Sequence, residues 1–203
     1  AIAILLIPNK KTFEPLMKMV AFIGSLLVFG LSVKLYMQFD ATLTGFQFTE
    51  QHQWIELLGV QYNLGVDGLS LLLILLTTFL TPIVLLGCWN AVDEKLRTYL
   101  ALLLFLETGM LGAFVALDIF LFYVFWEAML IPMYFLIGVW GGKDRIYASM
   151  KFFLYTLVGS LLMLVAIFFL IHQYKVQYGN FSAALVDLYK VKTNFDGWCS
   201  PQS

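Results

Sequence analysis

An all-α polytopic membrane protein is the fold class this sequence predicts, and three observations predict it. The 203 residues are 61% hydrophobic and only 12% charged, where an ordinary soluble domain is about 25% charged. The apolar residues come in unbroken runs, five of them near the roughly 20 residues that cross a bilayer as a helix. Lys and Arg gather in alternate gaps between those runs, as the positive-inside rule expects of one membrane face. The lipid bilayer is therefore the first expected partner. A net charge of −1 argues against nucleic acid as another.

The elements follow in order. Ala1 to Pro8 reads as the end of a hydrophobic helix, a partial first span. A signal peptide would carry charge ahead of its apolar stretch, and here Lys10 and Lys11 come after it. The second span is expected from about Leu16 to Met37. A polar loop follows from Gln38 to about Val66, without a single Lys or Arg. The third span is Gly68 to Trp89, the fourth Thr98 to Ala116, the fifth Ile119 to Trp140 and the sixth about Met150 to Gln173. The remainder, Tyr174 to Ser203, is a polar tail.

Lys10, Lys11 and Lys18, then Lys95 and Arg97, then Lys143, Arg145 and Lys151 fall on one side of this arrangement. Lys175, Lys190 and Lys192 fall on the other and count mildly against it. Only Leu117 and Asp118 separate the fourth and fifth spans, so these two helices form a tight antiparallel hairpin with Asp118 as N-cap. Gly109 and Gly112 in the fourth span, and Gly24 and Gly30 in the second, permit close helix approach. Cys88 reads as a small core residue and Cys199 lies in the tail. Neither has a Cys or His neighbour at ligand spacing, so no metal site, cluster or disulfide framework is expected.

The chemistry concentrates on acids inside apolar runs. Glu127 sits in the fifth span, in Phe125-Trp126-Glu127-Ala128-Met129. A carboxyl is costly there, and such groups face a bundle interior or a water-filled cavity and move ions or protons. Glu107 lies near the middle of the fourth span. It is 11 residues before Asp118 where Glu127 is 9 after it, so the two depths differ by about 3 Å. Pro132 frees the carbonyl of Ala128 beside Glu127 and is a candidate kink. Lys151 reads either as an interface lysine with its head in water or as an inward relay group. Trp126 flanks Glu127 on another helix face, and His172 lies near the far end of the sixth span. Each has a plain structural reading beside the functional one: a neutral hydrogen-bonded carboxyl, a common membrane proline, a packed aromatic.

The string from Leu117 to Gly142, with Phe125-Trp126-Glu127-Ala128-Met129-Leu130-Ile131-Pro132-Met133-Tyr134 at its centre, strongly resembles the antiporter-like subunit M, or subunit 4, of proton-translocating NADH–quinone oxidoreductase, respiratory complex I. Lys151-Phe152-Phe153-Leu154-Tyr155-Thr156 and Val66-Asp67-Gly68-Leu69-Ser70 resemble other blocks of that family. The resemblance implies an antiporter-like fold of two inverted five-helix repeats, each holding half of a proton channel. It implies that Glu127 is the fifth-helix glutamate that pairs with a lysine on a seventh helix, for which this chain has no counterpart. Glu107, Lys151, Trp126 and Pro132 are candidate relay or supporting groups. No cofactor is expected on this chain, because NADH, FMN, iron–sulfur clusters and quinone are used elsewhere in the parent complex. The expected partners are other membrane subunits of complex I, especially neighbouring antiporter-like subunits.

The implied organisation is an N-terminal set of helices over 1–97 with its polar loop near 38–67, the start of the first proton-translocating repeat over 98–173, and a tail over 174–203. The last ten residues do not resemble the approach to a seventh helix, and a truncated or aberrant end is expected. The implied activity is that of a translocase subunit of an oxidoreductase, in a bacterial plasma membrane or, alternatively, an organelle inner membrane. Two rival readings remain: a sodium–proton antiporter subunit of the multisubunit cation antiporters, and a membrane scaffold that moves no protons.

Overall fold

The computed structural model describes residues 1–6, 13–43, 45–55, 60–92 and 94–189. A short helix α1 (Ile2–Leu6) is followed by the long α2 (Glu14–Gln38). A two-stranded antiparallel sheet comes next, β1 (Gln47–Ile55) paired with β2 (Val60–Val66). Four helices follow: α3 (Gly68–Gly87), α4 (Leu96–Val115), α5 (Ile119–Trp140) and α6 (Arg145–Tyr178), with a last turn α7 (Leu185–Leu188). Five of these helices, α2 to α6, are long and apolar enough to cross a membrane.

Successive long helices run antiparallel, and α2 with α3, α4 with α5 and α5 with α6 make the most extensive contacts. Their outer faces are apolar as well: Leu31, Leu72, Tyr155, Leu162 and Val165 stand exposed. In lipid an apolar exterior costs nothing, so helices pair by close packing and interhelical hydrogen bonds rather than by hiding a stripe. Gly109 and Gly112 do this for α4 and α5. A Cβ on Gly109 would stand 2.6 Å from Met129 Cγ, and one on Gly112 would overlap the Phe125 ring. The corresponding expectation for α2 fails, because Gly24 and Gly30 have open space around them.

The two ends of the bundle differ. At one end Lys18 Nζ donates to the carbonyl of Trp89, Trp140 Nε1 donates to Glu94 O at 2.9 Å, and Arg145 Nη1 donates to Val139 O at 2.8 Å. This end gathers Lys18, Lys95, Arg97, Lys143, Arg145 and Lys151 around the α3–α4 and α5–α6 connections, as the alternate basic gaps require. Lys10 and Lys11 lie outside the described residues. Cys88 is not a core side chain there: it is half-buried at the end of α3, with Sγ 3.1 Å from the Tyr99 hydroxyl.

The opposite end departs from the expected polar loop. Residues 47–55 and 60–66 pair as antiparallel strands, and β2 lies across the α4–α5 turn, where Leu117 N donates to Asn63 O at 2.8 Å. Val60 and Val66 are buried while Tyr62 between them is exposed, so β2 packs on the bundle at its two ends. The α6 helix is also longer than the expected span. Its 34 residues extend about 51 Å, beyond a hydrocarbon core of about 30 Å. Tyr174 to Tyr178 therefore belong to the helix rather than to the tail. Gly179, at φ 85°, turns the chain back, and Lys175 Nζ lies 4.0 Å from the Phe181 ring centroid. Cys199, Lys190, Lys192 and the rest of 190–203 lie outside the described residues.

Candidate functional site

The α4–α5 turn is built on Asp118, which is fully buried. Its Oδ1 accepts from Phe120 N at 2.9 Å and Leu121 N at 3.1 Å, closing the first turn of α5. Its Oδ2 accepts from Gln61 N at 3.0 Å, which ties β2 to the bundle. The same turn holds the returning chain: Ile119 N donates to Ala183 O at 2.9 Å and Leu185 N to Leu117 O at 2.8 Å. Burial pushes the Asp118 carboxyl up from its usual range, and the bonds from Gln61, Leu121 and Phe120 pull it back. The N-cap expected from sequence is there, and it also fastens β2 to the start of α5.

Two turns further along α5, Glu127 has different surroundings. Its Oε1 is buried with no hydrogen-bond partner. Tyr123, one turn earlier on the same helix, neighbours the Glu127 carboxyl and Ser160 of α6. Ser160 is buried and its Oγ donates to Leu157 O at 2.9 Å. Tyr123 was legible in principle, since residues four apart share a helix face. Ser160 was not, because its place depends on how α6 packs against α5.

Glu107 belongs to a second polar cluster. It is 4% exposed, and its polar neighbour is Thr81 of α3, whose Oγ1 donates to Thr77 O at 3.0 Å, while its Oε1 is also buried without a partner. One turn before Thr81, Thr78 Oγ1 lies 2.8 Å from Ser32 Oγ of α2. A polar seam thus crosses α2, α3 and α4. Pro82, next to Thr81 and buried within α3, removes the backbone donor that would have met the Thr78 carbonyl.

The two glutamates are not brought together. With Gly109 against Met129 and Gly112 against Phe125, Glu107 is displaced from the level of Glu127 by about 5 Å along the axis, more than the 3 Å expected. Counting from Asp118 assumed a turn with no offset, and the close glycine packing sets a different register. The carboxyls also serve different interfaces, Glu107 towards α3 and Glu127 towards α6.

Lys151 does not reach Glu127 either. Gly138 packs on Ser149 and Tyr134 on Phe153, which puts Lys151 about 13 Å from the level of Glu127. It is exposed and stands 5.8 Å from the Tyr147 ring centroid. Trp126 is 41% exposed, its ring 5.8 Å from that of Phe122, on a different face from Glu127. Pro132 is fully buried and α5 continues through it to Trp140. Among the described residues no three His, Cys, Asp or Glu side chains converge as a metal site would require.

Comparison with known proteins follows the same outline. The family model for NADH-ubiquinone oxidoreductase chain 4, amino terminus, matches residues 2–113, and that for the NADH:quinone oxidoreductase/Mrp antiporter transmembrane region matches residues 116–195. The chain is 50% identical over 149 residues to NADH-quinone oxidoreductase subunit M of Rhodobacter capsulatus, covering 73% of this chain and 28% of that protein. It is 42% identical over 174 residues to NADH-ubiquinone oxidoreductase chain 4 of Arabidopsis thaliana, covering 85% and 35%. A chain of respiratory complex I from Thermus thermophilus with bound NADH superposes with a TM-score of 0.74 at 31% identity, covering 87% of this chain and 35% of that one. The chain spans about a third of the length of the curated relatives it matches.

Proposed function

The chain belongs to the subunit M (chain 4) family of NADH–quinone oxidoreductase, and from that premise we propose that it contributes a proton-translocation half-channel with Glu127 as the exchanging group. One observation supports this most directly: Glu127 keeps a buried carboxyl oxygen without a partner in the interior of a spanning helix. A carboxyl left unsatisfied in lipid is expensive and is retained where a proton or a moving charge visits it. Its expected counterion is the seventh-helix lysine that the family resemblance implies, supplied by the longer protein. A charge change in a neighbouring subunit displaces that lysine, which alters the balance between charged and neutral Glu127 and drives proton uptake or release. Glu107, in the seam with Thr81, is the second candidate relay group, with Lys151 nearer the basic end. NADH, FMN, iron–sulfur clusters and quinone act in other subunits of the parent complex, and the membrane is a bacterial plasma membrane or an organelle inner membrane.

The test is Glu127→Gln in the full-length subunit within the assembled complex. Proton pumping in coupled vesicles is expected to fall about tenfold or more. Undiminished pumping would refute the assignment. The sodium–proton antiporter reading draws on the shared description of the region 116–195. The match over 2–113 favours the quinone-linked complex, and sodium-dependent transport without quinone reduction would reverse that preference.

A further inference from the structure

The helices leave a cleft of about 440 Å³ on one flank of α4. Its walls include Val28, Leu31 and Leu35 of α2 and Leu111 and Val115 of α4, and Tyr62 of β2 lines it at the end nearest the sheet. α2, α3, α4 and α5 all contribute to it, and each is long and apolar enough to cross a membrane. The cleft therefore lies within the hydrocarbon. Leu31 is 66% exposed, so the cleft is continuous with the lipid-facing surface of α2. Among the described residues that line it, none is charged.

The polar groups on its helical walls are already committed. Ser32 Oγ donates to Phe29 O at 2.7 Å or shares the 2.8 Å contact with Thr78 Oγ1. Thr78 Oγ1 has Ile74 O at 2.8 Å, and Thr108 Oγ1 donates to Leu104 O at 2.9 Å. A bound water needs two to four polar partners, and apolar cavities without them stay dry. The cleft is thus built for an apolar occupant. Its size narrows the choice. From Thr108 to Val115 it runs about 10 Å along α4, and the volume then gives a cross-section of about 40 Å². A helix about 10 Å across needs roughly 80 Å², so a further helix does not fit, while a hydrocarbon chain does.

We propose that the cleft is a binding site for an acyl chain of a zwitterionic phospholipid, entering from the leaflet opposite the basic end. A depth of about 10 Å stays inside one leaflet, whose hydrocarbon is about 15 Å thick. The headgroup then sits beside the β1–β2 sheet. That stretch, Gln38 to Val66, has no Lys or Arg and carries Asp40 and Glu50, so an anionic headgroup finds no partner there and an ammonium does. The chain fills the space between α2, α3, α4 and β2, and binds whether or not Glu127 exchanges protons.

The test uses the assembled complex with the full-length subunit in vesicles of phosphatidylethanolamine that carries a photoreactive diazirine in one acyl chain. The labelled lipid is chased with unlabelled lipid before illumination, and the attachment sites are mapped by mass spectrometry. Label at Val28, Leu31 and Leu111 is expected to survive the chase, while label at the exposed Leu162 and Val165 of α6 washes out. Thr108→Phe and Val28→Phe, each placing a ring in the cleft, are expected to abolish the retained label and leave the α6 label unchanged. Cleft label that washes out as fast as the α6 label overturns the site. So does its absence in the parent complex, which would mean that another segment or subunit closes the cleft, and so does full retention in both Phe variants. With labelled phosphatidylglycerol, retention is expected to be weaker, and equal retention overturns the assigned headgroup.

Discussion

Asp118 and Glu127 sit nine positions apart at the start and in the interior of α5, the first fully buried and the second half-buried, and their hydrogen bonding is opposite. Asp118 accepts three backbone N–H bonds, from Gln61, Phe120 and Leu121. Glu127 keeps one buried oxygen with no partner. A helix N-terminus offers spare N–H groups, so an acid placed there is satisfied by backbone alone. A helix interior offers none, so an acid there depends on side chains that can turn. The difference separates a carboxyl that holds the fold from one left open to exchange.

The comparison breaks most visibly at Asp118. Asp118→Ala strands three buried N–H groups and releases β2 from the bundle, at an expected cost of about 4 kcal/mol. Low yield of folded full-length subunit in detergent, or a marked fall in its thermal midpoint, is the expected reading. Glu127→Gln, by contrast, should leave that midpoint within about 1 kcal/mol of the parent, because its open oxygen contributes little to stability. An Asp118→Ala protein as stable as the parent, or a Glu127→Gln protein that fails to fold, would dissolve the distinction.

How much of this was legible depends on the range of the interaction. The five spans, the tight α4–α5 turn and the Asp118 cap are local consequences of hydrophobic length and capping chemistry, and the family string around Glu127 carries its own identity. The β1–β2 hairpin was missed because its residues are polar and Glu50, Gln51, His52 and Gln53 are exposed; its pairing shows only once β2 is seen bonded to Leu117. The orientation of Glu107 towards Thr81, the register of α4 on α5 and the Tyr123–Ser160 contact all arise from packing between helices, on which a single apolar sequence is nearly silent. Gly24 and Gly112 look alike in sequence, yet only Gly112 meets another helix.

That contrast sharpens the picture at a smaller scale. Gly112→Ala drives a methyl into the Phe125 ring and is expected to cost about 1–3 kcal/mol. Gly24→Ala, with open space around it, should be neutral or stabilise by a few tenths of a kcal/mol through helix propensity. Parallel thermal melts of the two variants decide the matter. A smaller effect on transport is expected at Glu107. Glu107→Gln keeps a group able to bond Thr81, so pumping should fall by about twofold to threefold, less than for Glu127→Gln. A loss as deep as that of Glu127→Gln would place Glu107 on the obligatory path.

The smallest effect belongs to Asp67, an N-cap like Asp118 but without its tertiary duties. It accepts from Ser70 N at 2.7 Å, and Ser70 Oγ accepts in return from Asp67 N at 2.9 Å. The bond from Ser70 holds the Asp67 carboxyl below its ordinary range. Both bonds lie within one turn of α3, and no other segment depends on them, so Asp67→Ala should cost about 1 kcal/mol, the usual value of a local cap. The sign of its pH dependence follows from the lowered value. The contribution is present above the unfolded carboxyl pKa of about 3.9 and is lost as pH falls through the lower folded one. The stability difference between the parent and Asp67→Ala should therefore stay constant from about pH 8 to 5 and close below about pH 4. A cost at neutral pH as large as that of Asp118→Ala would mean that capping geometry, rather than the fastening of distant segments, is what makes Asp118 indispensable.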